Sequence, residues 1–306
     1  MSAPAQDFID EIRAEGLLAT GKPVVVLFSG GRDSTCLLDL ATRIAGVEAV
    51  TALHMNYGLR DDAAGDECHC SELCEHLGVA LEVRRPQQPA HGNLQAWARD
   101  ARYAAAAEIA GGADIAAGHT ASDQVETILY RLASSPSRRA LLGMRPRESQ
   151  LVRPLLTYTR EQTAAYCLER GLRWREDQSN EDPAFARNRV RAELVPALRL
   201  IHPAAEQNVL TLSRVLRDEA EVLDTLVDAA LDGGSQISLA ALREQPLALQ
   251  RLIVQRLADQ AVGGPAPGVA RRAEEIVAMG ATAMLDLPRV RARTKHGMLR
   301  FERLAT

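Results

Sequence analysis

The stretch Pro23-Val24-Val25-Val26-Leu27-Phe28-Ser29-Gly30-Gly31-Arg32-Asp33-Ser34-Thr35-Cys36-Leu37-Leu38 constrains the chain more than any other. Val24 to Phe28 is a continuous β-branched and apolar run, short enough for a strand buried on both faces. Two glycines follow, then a helical pattern with Leu37, Leu38, Leu40 and Ala41 on one side. A strand that passes through glycines into a helix N-terminus can hold phosphate. Free backbone N–H groups point outward, the helix dipole favours negative charge, and glycine lets an anion approach the main chain. The loop is neither G-x-x-x-x-G-K-[ST] nor G-x-G-x-x-G. The plain alternative is a strand-to-helix turn capped by Asp and Ser.

Downstream, Val47 to Met55, Val79 to Arg84 and Ala113 to Gly118 read as further strands. Helical patterns at 33–45, 63–77 and 94–110 lie between them, after a short amphipathic helix at 8–19. Strands alternating with helices at this spacing predict a mostly parallel, doubly wound α/β sheet. Ligands in such sheets sit beyond the carboxyl ends of the strands. The chemistry-bearing residues follow the strands here too. His54 and Asn56 close the second, Asn93 caps a helix carrying Arg99, Arg102 and Tyr103, and Gly118-His119-Thr120-Ala121-Ser122-Asp123-Gln124-Val125-Glu126 closes the fourth. Asp123 and Glu126 share one face of a first helical turn. Thr120 with Asp123 also fits a capping box, a purely structural use of the same acid.

Ser134 to Arg139 reads as a loop, and helix resumes at Arg160 to Arg170. An Asp/Ser/Asn/Pro-rich loop near 177–183 precedes a basic helix start with Arg187, Asn188 and Arg191. Residues 206–231 form a long amphipathic helix, followed by helices at 238–260 and 268–279 and a β-ribbon from Met284 to Phe301. The expected organisation is a catalytic α/β domain over 1–203 and a smaller, mainly helical domain over 204–306.

With 306 residues, 46% of them hydrophobic, the chain can bury a full core, and no apolar run is long enough for a membrane span. The N-terminus carries Asp7, Asp10 and Glu11 and lacks a signal pattern, which makes the cytoplasm the expected compartment. Cys68, Cys70 and Cys74 have no C-x-x-C spacing, so free thiols are expected rather than a metal or iron–sulfur site. The net charge of −4 argues against wholesale nucleic-acid binding, but its distribution is uneven. Seven arginines face one acid, Glu148, between Arg131 and Arg160, and six basic residues face two acids over 286–306. Two basic stretches in an acidic protein suggest phosphate-rich partners.

Ser-Gly-Gly-Arg-Asp-Ser resembles the pyrophosphate loop of the N-type ATP pyrophosphatases, and the full set of motifs resembles the tRNA(Ile)-lysidine synthetase family over residues 23–196. The matching elements are Ser29-Gly-Gly-x-Asp33-Ser34, His54-x-Asn56-x-Gly58-Leu59-Arg60, Asn93 with Ala98-Arg99-x-x-Arg102-Tyr103, and Gly118-His119-Thr120-Ala121-x-Asp123-Gln124-x-Glu126-Thr127. Arg153-Pro154-Leu155-Leu156 and Asp177-x-Ser179-Asn180-x-Asp182-x-x-Phe185-x-Arg187-Asn188-x-Val190-Arg191 complete them. Tyr57 stands where the family usually has a histidine, Ser122 where it has an aspartate, and Ala133-Ser134-Ser135-Pro136 replaces Arg-Gly-Ser-Gly. The length resembles the family's short form.

The resemblance implies a ligase that adenylates the C2 carbonyl oxygen of the wobble cytidine in a CAU-anticodon isoleucine tRNA with ATP and Mg²⁺. The ε-amine of L-lysine then displaces AMP to give lysidine. Ser29, Gly30, Gly31, Arg32, Asp33 and Ser34 would cradle the pyrophosphate, with Asp33 on the Mg²⁺. His54 would bracket the nucleotide, with His119 close by as a catalytic candidate. Asp123 and Glu126 would bind the lysine ammonium. Arg60, Arg99, Arg102, Arg138, Arg139, Arg187, Asn188 and Arg191 are candidates for tRNA or phosphate, and the sequence does not allocate them. It does not choose between monomer and homodimer either. The rival readings are a tRNA 2-thiocytidine synthetase, which needs paired C-x-x-C-type cysteines, a more distant NAD or GMP synthetase, and a non-catalytic nucleotide-binding protein.

Overall fold

The computed structural model describes residues 3–58, 62–135, 137–176 and 186–304. The chain divides into two compact units, one ending at Thr211 and the other beginning at Leu212.

The first unit is organised on β1 (Val24–Leu27), whose four residues are all buried. Strand residues alternate between faces, so Val24, Val26 and Phe28 belong to one core and Val25 and Leu27 to the other. This explains why the run is apolar throughout rather than alternating. The strand pairs in parallel on both sides, with β2 (Val50–Met55) through Val24↔Val50 and with β4 (Asp114–Ala116) through Val24↔Asp114. With β3 (Ala80–Arg84) the sheet order is β3-β2-β1-β4-β6-β5, closed by a small antiparallel edge of β5 (Arg147–Glu148) and β6 (Leu151–Val152). Arg147 anchors that edge through a two-point ion pair to Asp114, at 2.6 and 3.0 Å.

One face of the sheet carries α1 (Ala3–Ala14), α2 (Arg32–Ala45), α3 (Ala63–Leu77) and α6 (Arg160–Glu169), packed through Ile9, Ile12, Leu37, Leu38, Cys70 and Tyr166. On the other face α4 (Leu94–Ala110) buries Ala106 and Ala110 against Val25, Leu53 and Ile115. Asn93 caps α4 by accepting from the Gln95 and Ala96 amides, as its position predicts. The remaining helices are α5 (Ala121–Ser134), α7 (Ala186–Arg189), a π-helical turn at Val190–Leu194, α8 (Val195–Ile201) and α9 (Ala205–Leu231), which runs on past Thr211. The first helix begins five residues before the sequence pattern suggests and ends before Gly16, whose φ of +69° turns the chain.

From β1 the chain winds outward through β2 to β3, then returns to β4 on the other side of β1. The crevice between the carboxyl ends of β1 and β4 is therefore the topological switch point, where open α/β sheets bind ligands.

The second unit has its own core around α11 (Leu247–Val262), including Ile253, Val254, Leu257, Val290 and Leu299. The expected ribbon is three strands, β8 (Ala283–Leu287), β9 (Val290–Lys295) and β10 (Met298–Arg303), joined by β7 (Gln236–Ser238) in the antiparallel order β7-β10-β9-β8. The helix expected over 238–260 is two, α10 (Leu239–Glu244) and α11, because Pro246 cannot continue the first. A short α12 (Ala273–Val277) completes the unit. Among the described residues no helix is long and apolar enough to cross a membrane.

Candidate active site

The loop after β1 is shaped by its own hydroxyls. The Ser34 Oγ donates to the Gly31 carbonyl at 2.8 Å and lies 3.3 Å from the Ser29 amide. No side chain caps the N-terminus of α2, so the amides of its first turn stay available to an anion. Gly30 has φ +79°, and a Cβ there would meet the Cys70 Sγ at 3.0 Å. Gly118, at the end of β4, is pressed against the same loop, since its Cβ would fall 3.1 Å from the Asp33 carbonyl. Gly118 thus lets the β1 and β4 loops meet, and Gly30 lets the β1 loop lie against α3.

His54 is buried beneath the loop at 4% exposure rather than standing over it. Its Nδ1 lies 3.1 Å from the Phe28 carbonyl, which can only accept, so Nδ1 carries the proton there. The Cys70 Sγ is 3.3 Å from the same nitrogen. Burial pushes the Cys70 thiol well above its ordinary value and that of Cys74 up to about 12. Cys68, two residues earlier, is exposed.

Asp123 and Glu126 lie on the first turn of α5, as their spacing predicts. The capping box is also real: Thr120 and Asp123 exchange hydrogen bonds, with the Thr120 amide donating to the Asp123 Oδ2 at 2.9 Å. One oxygen thus caps the helix while the other faces the crevice. There Arg160 donates to the Asp123 Oδ1 at 2.8 Å and to the Glu126 Oε1 at 3.2 Å, and approaches the Asp33 Oδ2 at 3.7 Å. Arg160 thereby joins the loop acid to the acid pair. Arg191 donates to the Glu126 Oε1 at 2.7 Å, and Arg187 approaches the Glu126 Oε2 at 3.4 Å. Burial works against the Asp123 charge, but Arg160, the Thr120 amide and Arg187 hold its carboxyl below the usual range. Thr163 donates its hydroxyl to the Asp33 Oδ1 at 2.6 Å.

His119 is half-buried beside this cluster, with its Nδ1 shut off from solvent. Burial pushes it down to about 4, helped by the charges of Arg153, Arg187 and Arg102, so the ring is neutral at pH 7. Glu126 also lines a cavity of about 200 Å³ with Ser122, Arg160, Glu161, Arg191 and Arg199.

The crevice therefore brings together Ser29, Gly30, Gly31, Arg32, Asp33, Ser34, His119, Asp123, Glu126, Arg187 and Arg191. His54 supports it from below. Arg99 and Arg102 sit over the Tyr103 ring at 5.2 and 5.5 Å from its centroid. Arg138 and Arg139 lie on a short helical turn, Arg138–Ala140, whose Ala140 is buried. Asn188 is on α7, and Arg60 lies outside the described residues. Sequence reasoning missed Arg160 and Thr163. Arg160 does carry a signal: a cation at the first position of a helix opposes the dipole and needs a reason to be there.

Among the described residues no group of three or more His, Cys, Asp and Glu is placed to hold a metal ion. In the second unit, Asp286 pairs with Arg291 and Glu302 with Arg293 and Arg300, whereas Arg289, Lys295 and Arg303 have no carboxylate partner among the described residues.

Comparison with known proteins places the fold and the family. Residues 3–198 match the family model of the PP-loop domain. A tRNA(Ile)-lysidine synthase from Thermus thermophilus is 37% identical over 256 residues, 79% of this chain and 50% of that protein. One from Pseudomonas fluorescens is 38% identical over 69% of this chain and 49% of its own length. One from Dehalococcoides mccartyi is 31% identical over 87% and 62%. The chain thus spans about half to three-fifths of the length of these relatives. Among solved structures, a U34-tRNA thiolase from Methanococcus maripaludis superposes with a TM-score of 0.55 over 70% of this chain and 80% of its own, at 15% identity, which is a likeness of fold. The chain belongs to the PP-loop domain family, and the curated relatives it resembles are tRNA(Ile)-lysidine synthases.

Proposed function

We propose that the protein is a tRNA(Ile)-lysidine synthetase, a ligase that joins L-lysine to the wobble cytidine of a CAU-anticodon isoleucine tRNA. The observation that carries this reading is the Arg160 bridge, which makes the nucleotide loop and the acid pair one site.

ATP lies with its β- and γ-phosphates over the loop Ser29–Ser34, where the uncapped amides of α2 offset their charge. The cytidine C2 oxygen attacks the α-phosphorus, and pyrophosphate leaves toward the loop. Asp33 would hold a nucleotide-bound Mg²⁺, which would supply shielding for the charge of the leaving pyrophosphate. A nucleotide-bound Mg²⁺ needs only one or two carboxylates beside phosphates and water. Asp33 fits, because Thr163 and Arg32 occupy its Oδ1 and leave Oδ2 with only the 3.7 Å approach of Arg160.

Asp33, Asp123 and Glu126 already face Arg32, Arg160, Arg187 and Arg191, four cations against three carboxylates. A lysine ammonium therefore enters by replacing a guanidinium contact. Arg187 is the one to yield, since its side chain is 43% exposed against 33% for Arg191 and 19% for Arg160. Asp123, held below the usual carboxylate range, anchors the ammonium. Glu126 receives the proton that the amine must lose, since an amine of pKa about 10.4 attacks only when neutral. Nitrogen then bonds to C2, and AMP departs with the oxygen. His54 keeps the loop in shape, and the basic surface of the second unit is assigned to tRNA.

The test is transfer of radiolabelled lysine to an unmodified CAU isoleucine tRNA transcript with ATP and Mg²⁺. Label in that transcript with AMP released, none in a methionine tRNA, and none with Asp33→Asn supports the assignment. ATP consumption only when a sulfur donor replaces lysine would move it to thiolation.

A further inference from the structure

The arginines at the carboxyl edge of the sheet fall into two sets. Arg160, Arg187 and Arg191 face carboxylates. Arg99 and Arg102 on α4 and Arg131 on α5 do not. Among the described residues their contacts are the Tyr103 ring for the first two and the Gly143 carbonyl, at 2.9 Å, for Arg131.

Three donors or acceptors beside them are shut off from solvent with no hydrogen-bond partner among the described residues: the Arg102 Nε, the His119 Nδ1 and the Arg153 Nε. Arg153 is itself only 3% exposed, and the acid it meets, Glu148 at 3.3 Å, is at the rim. These groups share one neighbourhood. Burial and then the like charges of Arg99, Arg187 and Arg153 loosen the proton on Arg131, opposed only by Glu148. His119 feels Arg153 and Arg102 in the same way. Several guanidiniums held together with one acid between them form a site for an oxyanion.

We propose that Arg99, Arg102 and Arg131, backed by the buried Arg153, form a phosphate subsite that takes the RNA backbone beside the nucleotide being modified. This rests on the reading above for its choice of RNA. The same chemistry would suit the phosphates of ATP, but those already have the α2 N-terminus and its loop. Arg99 and Arg131 are exposed at the rim, where a polymer can pass and a small nucleotide gains nothing from the outer contact.

The experiment is filter binding of the CAU isoleucine tRNA transcript at several KCl concentrations, for the wild type, Arg99→Gln/Arg131→Gln and Arg99→Lys/Arg131→Lys. ATP affinity is measured separately without RNA. Removing two phosphate contacts should lower the slope of log Kd against log[KCl] by roughly 1.4–1.8, and the lysine variant, which keeps both charges, should retain it. The Gln variant should bind RNA at least about tenfold more weakly near 100 mM KCl while its affinity for ATP holds within about twofold. An unchanged slope, or lost ATP affinity with RNA binding intact, overturns the subsite. A lowered slope in a protein that transfers no lysine keeps the subsite and removes the proposed reaction. Lysine transfer with an unchanged slope does the reverse, and a wild type that binds no RNA removes both.

Discussion

Helices α2 and α6 lie side by side, and the two ends of their interface repeat one chemical theme with different consequences. At one end Asp33 of α2 receives the Thr163 hydroxyl and the approach of Arg160. Two turns along, Asp39 of α2 receives the Tyr166 hydroxyl at 2.5 Å, Arg43 at 2.8 Å and Arg170 at 3.3 Å on a single oxygen. Between them lie Cys36 and Cys167, both buried, with burial and the Cys167 contact pushing the Cys36 thiol up. Each end is an aspartate, a hydroxyl and arginines. The first sits at the carboxyl edge of the sheet, next to uncapped helix amides and a second acid pair. The second is closed over by the buried Tyr166 ring, with the Asp39 carboxylate buried beneath it. Ion-pair composition therefore does not single out the candidate site. Position relative to the strand ends does.

Replacing the two aspartates separates the ends most sharply. Asp33→Asn should cut lysine transfer by about 10²–10³-fold, the scale for losing one electrostatic contact to a developing charge, with little change in melting. Asp39→Asn leaves Arg43 and Arg170 against a neutral, buried partner. It should cost roughly 3–5 kcal/mol, a melting temperature lower by roughly 10 °C, while the protein that remains folded keeps its activity. Circular dichroism melts beside the transfer assay check both, and a dead but stable Asp39→Asn would erase the distinction.

The hydroxyls give a finer test, because Thr163 and Tyr166 are one turn apart on the same helix. Tyr166→Phe removes a donor to a buried carboxylate and should destabilise by about 2 kcal/mol without affecting turnover. Thr163→Val preserves shape but leaves the Asp33 Oδ1 to Arg32 alone, and should lower kcat by about tenfold at a smaller stability cost. Equal effects of the two substitutions on turnover would show that the interface acts as one unit.

Much of the candidate site was legible in the sequence, and the reason is local. A buried strand, glycines and a helix start are consecutive, and Asp123 and Glu126 are three residues apart on one turn. Arg160 was not, because its partners Asp33, Asp123 and Glu126 are 34 or more residues away and only the fold brings them together. The same holds for the pairing of Cys70 with His54, and for the division of the arginines into carboxylate-bound and unpaired sets. The β5–β6 edge was missed because two-residue strands carry no period to read. The structural end was invisible for another reason: Asp39 lies in an otherwise apolar helix face and only burial reveals its cost.

The smallest expected effect concerns pH, and again only the functional end should show it. Arg43, Tyr166 and Arg170 surround Asp39, and no histidine is among these contacts. His119, by contrast, is pushed down to about 4 by burial, below the 6.5 of an unhindered imidazole. The unfolded chain therefore takes up a proton as pH falls below 6.5, while the folded protein does not until about 4. Stability is full above 6.5 and is lost progressively through that window. Between pH 7.5 and 5.5 the loss from this residue should be about 1.4 kcal/mol. Asp123 adds nothing there, since a depressed carboxylate loses its contribution only below its ordinary value of 3.8. Urea unfolding at the two pH values, for the wild type and His119→Gln, measures the difference directly. The variant should lose about 1.4 kcal/mol less than the wild type, because a neutral amide takes up no proton in either state. Equal losses would mean that His119 can be protonated in the folded protein, and that the ring is open to water rather than enclosed by the arginines around it.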